Sequence, residues 1–155
     1  MNWLTALGIC VAAAAFEGLC AGKDPLGELR KLRQPSWSPP GWVWVLIGIA
    51  WYGICFAGLV RLLPVFNAQP SPTLLLVALL FANGAVNVLQ FRMRRLDLVL
   101  AFYAPYAALL VALLVAAWPL DRVTASLFLI YAAYQLYAAA WGYSLWRLNR
   151  KGAAE

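Results

Sequence analysis

Five long apolar runs separated by polar gaps dominate the chain, over about residues 3–21, 41–63, 73–91, 96–118 and 123–146. An α-helix needs roughly 20 mostly apolar residues to cross a hydrocarbon core, and each run is close to that length. The gaps are too short to hold a soluble domain. The pattern therefore predicts an all-α integral membrane protein, a five-helix bundle in which residues 1–155 form one membrane domain.

Polar and small residues inside the runs give the helices faces. Ala14, Gly18 and Gly22 recur every fourth residue in the first run, a stripe expected to pack within the bundle in preference to a dimer contact. Glu17 is an ionisable group at a depth where charge is costly. It lies about one turn from the loop and is expected to reach Lys23 or the interface. In the third run Asn83, Asn87 and Gln90 are spaced by four and three, which puts them on one helical face that should look inward. Pro105 should kink the fourth helix by freeing a carbonyl one turn earlier. In the fifth, Tyr131, Tyr134, Gln135, Ala138, Trp141 and Gly142 share a face. Arg61, near the end of the second helix, should snorkel to the headgroups.

Residues 22–40 are the longest polar stretch, a connecting loop with Lys23, Arg30, Lys31 and Arg33 and a proline-rich end. Residues 25–33 suit a short surface helix with Pro25 in its first turn. Trp37 and Trp42 suit interfacial anchoring or a lid.

Composition agrees with lipid as the solvent: 65% of the 155 residues are hydrophobic and 12% charged, against roughly 25% charged in a soluble domain. The net charge of +6 comes from basic residues in the gaps, where they read as topology signals and not as a nucleic-acid surface. The first loop, the third loop (Arg92, Arg94, Arg95) and the tail (Arg147, Arg150, Lys151) hold ten of the twelve, with only Arg61 and Arg122 on the other side. That asymmetry puts the C-terminus in the cytoplasm and the N-terminus outside, as in a bacterial inner membrane. The chain has no histidine. Cys10, Cys20 and Cys55 lie in apolar runs without a partner at ligand spacing, so buried thiols are expected and neither a metal nor a disulfide framework. With Glu17 and no basic start, the first run is expected to be a retained helix and not a cleaved leader. No nucleophile–base pair, paired carboxylates or phosphate loop marks an enzyme.

The segment Pro35-Ser36-Trp37-Ser38-Pro39-Pro40-Gly41-Trp42-Val43 resembles the Pro-x-Trp-x-Pro-Pro-x-Trp-Val signature of the TspO/MBR family, the tryptophan-rich sensory proteins related to the mitochondrial translocator protein. The likeness runs along nearly the whole chain. Tyr52 falls at the family's second-helix Tyr, and Asn83 at the Asn of its third-helix Asn-x-x-Trp-Thr-Pro motif. Tyr131 falls at the fifth-helix Pro-Tyr motif, and Arg147-Leu148-Asn149 resembles the family's ending. Gly48, Val86, Ala107 and Tyr134 stand where tryptophans are usual, and Val88 where that motif has Pro.

The resemblance implies five helices, a long first loop, a homodimer, and a cavity under the loop for porphyrins, other tetrapyrroles and synthetic isoquinoline or benzodiazepine ligands. In such a cavity in this chain, Trp37, Pro39, Pro40 and Trp42 would close the space, and Tyr52, Asn83 and Asn87 would hydrogen-bond the ligand. Tyr134 and Trp141 would stack on it, Gly48, Ala107, Tyr131 and Ala138 would line it, and Arg30, Lys31 or Arg33 would meet ligand carboxylates. Light-driven porphyrin breakdown, proposed for some members, involves the tryptophans replaced here by Gly48 and Tyr134. The expectation is binding without catalytic residues, metal or cofactor, the porphyrin being a ligand. Two other readings stay open: a small transporter of the same molecules, motivated by Glu17 and the Asn83–Asn87–Gln90 face, and a membrane scaffold with no small ligand.

Overall fold

The structure, a computed structural model, describes residues 2–150. Its five long helices are each apolar and long enough to cross a bilayer. They are α1 (Asn2–Ala21), α3 (Gly41–Leu62), α4 (Ser71–Asn87), α5 (Leu96–Ala117) and α6 (Arg122–Asn149), with the short α2 (Pro25–Arg30) in the first loop. Large apolar side chains stay exposed on the outside, Leu136 at 76% and Leu19 at 71% among them. Water would not tolerate so many, so the surface around the spans is a lipid surface. The protein is an integral membrane helical bundle.

Local chemistry accounts for the helix ends. Pro25 occupies the first turn of α2, and the Asp24 carboxylate caps it by accepting from the Gly27 N–H at 2.8 Å. Asp121 caps α6 in the same way through the Thr124 N–H at 3.0 Å. α3 ends in a 3₁₀ turn, Leu63–Val65. α4 runs on into a π turn, Val88–Arg92, a local widening of the helix often found at functional sites. α6 runs to Asn149, past the expected end near residue 146. The Asn149 side chain accepts from the Arg33 N–H at 3.0 Å and donates to the Arg33 carbonyl at 3.1 Å, which ties the last turn to the first loop. Lys151 lies outside the described residues.

α1 packs chiefly on α4, and α5 on α6 and α4. The buried stripe of α1 is Ala6, Cys10, Ala13 and Cys20. Ala14 and Gly18, by contrast, are exposed on the lipid side. This corrects the expectation that the Ala14–Gly18–Gly22 stripe packs inside the bundle: the small residue that admits close approach belongs to the partner helix. A Cβ on Gly84 of α4 would sit 2.9 Å from Phe16 Cδ1 and 3.3 Å from the Glu17 Cα. Arg61 also has a partner within the bundle. It binds Asp121 with both ends of its guanidinium, at 2.6 and 2.7 Å, and so clamps the end of α3 to the start of α6. Cys10, Cys20 and Cys55 are buried.

Candidate functional site

The three basic segments gather at one end of the bundle, where Arg94 binds Glu28 of α2 at 2.7 Å and Asn149 holds Arg33. At this end the spans line a half-open cavity of about 490 Å³, inside the roughly 300–1,000 Å³ usual for small-molecule sites. All five spanning helices line it.

Its walls are aromatic. Trp44, Gly48 and Trp51 fall on one face of α3 at spacings of four and three, and all three line the cavity. Across from them stand Tyr131, Tyr134 and Trp141 of α6 and Phe102, Tyr103 and Tyr106 of α5. These rings are fixed by one another. Trp51 stacks on Tyr131 with centroids 4.2 Å apart, and Trp44 meets Trp141 at 4.7 Å. The Tyr106 and Tyr131 hydroxyls lie 2.7 Å apart, and Gln135 donates to Tyr131. Tyr103 donates to the Ala138 carbonyl at 3.0 Å.

Glu17 faces inward, against the expectation that it reaches Lys23 or the interface. It continues the buried Ala6–Cys10–Ala13 stripe at helical spacing, so its carboxylate points into the bundle and lines the cavity. One oxygen accepts from the Tyr52 hydroxyl at 2.6 Å and from Asn83 Nδ2 at 3.5 Å, the other from Asn87 Nδ2 at 3.3 Å. The π turn adds Gln90 and Phe91 to the same wall.

The roof is α2, whose Pro25, Leu26 and Leu29 close over the cavity. The residues expected to form a lid lie elsewhere. Trp37 packs edge-on against Tyr137 with centroids 5.5 Å apart and lines a separate surface depression with Ser144 and Arg147. Trp42 is 65% exposed, and neither Pro39 nor Pro40 reaches the cavity wall. The physical reason is the extended backbone at Pro40, with ψ at 157°, which carries the chain along the outside into α3. The proline segment still touches the site through Ser38, whose hydroxyl accepts from the Trp141 indole at 3.0 Å and donates to Gln34, which in turn holds the Leu29 carbonyl of α2.

Of the other anticipated residues, Gly48, Asn83, Asn87, Tyr131, Tyr134, Ala138 and Trp141 line the cavity. Tyr52 does not; it stands behind Glu17 as its hydrogen-bond donor. Ala107 follows Tyr106 by one residue, about 100° around the helix, and is exposed on the outside. Arg30, Lys31 and Arg33 are also absent from the wall. Lys31 and Arg94 both bind Glu28, and the Lys31 hydrogen bond and the Arg94 charge hold that carboxyl below its ordinary value. Trp44, Phe102, Tyr103 and Tyr106 are aromatic wall residues that sequence reasoning passed over, and Glu17 is one that it turned towards the loop. The signals for Trp44 and Glu17 were the Trp44–Gly48–Trp51 spacing and the register of Glu17 with Ala6, Cys10 and Ala13.

Among known proteins, the sequence profile of the TspO/MBR family matches residues 6–147. No curated protein matches the chain.

Proposed function

The chain belongs to the TspO/MBR family, and from that premise we propose that it is a membrane receptor for a flat, hydrophobic ligand held in the cavity at the basic end of the bundle. The observation that carries this reading is the wall of fixed aromatic rings around about 490 Å³ of space. Rigid, preplaced rings bind a planar molecule with little ordering cost. Tyr134 and Trp141 stack on the ligand, and Asn83 and Asn87 orient its polar atoms. Tetrapyrroles are the class to which the resemblance points. With Gly48 and Tyr134 at the usual tryptophan positions, binding and not light-driven breakdown is the activity proposed. The basic end faces the cytoplasm by the positive-inside rule.

The test is a tryptophan-fluorescence titration of the purified protein with protoporphyrin IX, in the dark and under light, beside Tyr134→Ala. Saturable quenching that the substitution weakens supports the receptor; loss of porphyrin in light adds an enzymatic role. Absence of saturable binding by any flat probe leaves the scaffold reading.

A second reading, a transporter of the same molecules, is favoured by Glu17, which lines the cavity and is hydrogen-bonded from two neighbouring spans. Intramembrane carboxylates mark pathways. Protoporphyrin flux into liposomes that Glu17→Gln abolishes would support it, and unchanged flux would remove it.

A further inference from the structure

The cavity has one acidic side chain of its own. Glu17 is the one Asp, Glu, Lys or Arg among its lining residues, and none of the ion pairs of the described residues includes it. Its hydrogen-bond partners, Tyr52, Asn83 and Asn87, are neutral donors on both oxygens. Such donors suit a carboxylate and bring no positive charge of their own. The same cavity is lined by the rings of Trp44, Trp51, Tyr134 and Trp141, and aromatic ring faces are electron-rich and attract cations. A single carboxylate in an aromatic enclosure is complementary to a positive charge carried on a hydrophobic ring system.

We propose that the cavity selects a flat hydrophobic cation, a ring-bearing quaternary or protonated amine, with its positive charge at Glu17 and its rings among the aromatic walls. This rests on the reading of the cavity as a ligand site and names the class of ligand. The basic residues around the roof do not reverse the preference. Arg94 and Lys31 are 70% and 67% exposed and share Glu28, and Arg95 pairs with Asp97. Arg92 is held by the Leu19 and Cys20 carbonyls at the end of α1. Exposed charges are screened over about 8–10 Å in physiological salt, whereas a charge inside the bundle acts through a low dielectric. A dicarboxylic tetrapyrrole would have to keep both carboxylates out at that basic rim.

The test compares 10-methylacridinium with acridine, two flat tricycles of nearly the same shape, at a mildly alkaline pH where acridine is neutral. Equilibrium dialysis of the detergent-solubilised protein against protein-free micelles removes the difference in partitioning. The cation is expected to bind about thirtyfold more tightly than the neutral ring, the usual scale for a desolvated charge partner. In Glu17→Gln that ratio should fall towards unity, and in Glu17→Gln with Asn87→Asp, which returns a carboxylate to the same wall, it should recover. Equal affinities in the unmodified protein, or a preference that survives Glu17→Gln, would overturn the cation proposal while leaving the receptor reading intact. If neither acridine nor protoporphyrin IX binds saturably, the receptor reading falls and this proposal with it.

Discussion

The same helices build two different interiors at their two ends. Away from the basic loops, Leu59, Leu62, Leu76, Leu79 and Leu113 are fully buried around Phe128, and a Cβ on Gly58 would meet Leu76, Phe128 and Thr124 at 3.1–3.3 Å. Towards the basic loops the interior changes to Trp, Tyr, Asn and Gln, and about 490 Å³ stays open. Branched aliphatic chains settle into one another and close the space. Rings tied by hydroxyl bonds, as Tyr106 is to Tyr131 and Tyr103 to the Ala138 carbonyl, cannot collapse in the same way. The aliphatic end holds the bundle together, and the aromatic end has room to bind.

The largest way to break this contrast is at the packed end. Phe128→Ala should cost about 3–5 kcal/mol of stability, read as a lowered thermal midpoint in detergent. A loss of ligand affinity without a loss of stability would put Phe128 in the wrong half. Gly84→Ala probes the boundary, because the added methyl would be forced against Phe16 and the Glu17 backbone. About 1–3 kcal/mol is expected, together with weaker ligand binding, since Asn83 and Asn87 flank the shifted turn.

At the open end the sign of the contrast changes. Tyr134→Ala should weaken a flat ligand by about tenfold, the size of a lost ring contact, with little change in thermal midpoint. A large drop in midpoint with unaltered affinity would assign Tyr134 to packing.

The smallest effect lies at the far surface. The Arg61 side-chain hydrogen bonds, helped by Thr124, hold the Asp121 carboxyl well below its ordinary value. A depressed carboxyl stabilises the fold above its unfolded pKa of about 3.9, and that stability is lost as the pH falls through the folded value. Asp121→Ala should therefore cost about 1 kcal/mol near neutrality, and its stability should converge with that of the unmodified protein in strong acid.

The five spans were legible in the sequence because length and hydropathy alone define a membrane helix. The inward face of α4 was legible too, since Asn83, Asn87 and Gln90 are polar exceptions on an apolar helix. Where both lipid and core are apolar, hydropathy does not say which face is buried. Hydropathy alone therefore allows the Ala14–Gly18 stripe inside and Glu17 at the interface, although Glu17 keeps step with Ala6, Cys10 and Ala13. Trp44 was hidden for the same reason, as tryptophan is equally at home at the membrane surface. Placing the roof in the proline segment followed the motif's two tryptophans. The short α2 with Leu26 and Leu29 facing down covers the cavity.

Photo-cross-linking with an azidoacridine, followed by peptide mass spectrometry, tests the central claim that the aromatic end is a ligand site most directly. Adducts on Trp44, Trp51, Tyr134 or Trp141 that excess acridine displaces are the predicted result. Adducts confined to lipid-facing residues such as Trp3, Trp118 or Leu129, and indifferent to competitor, would contradict it.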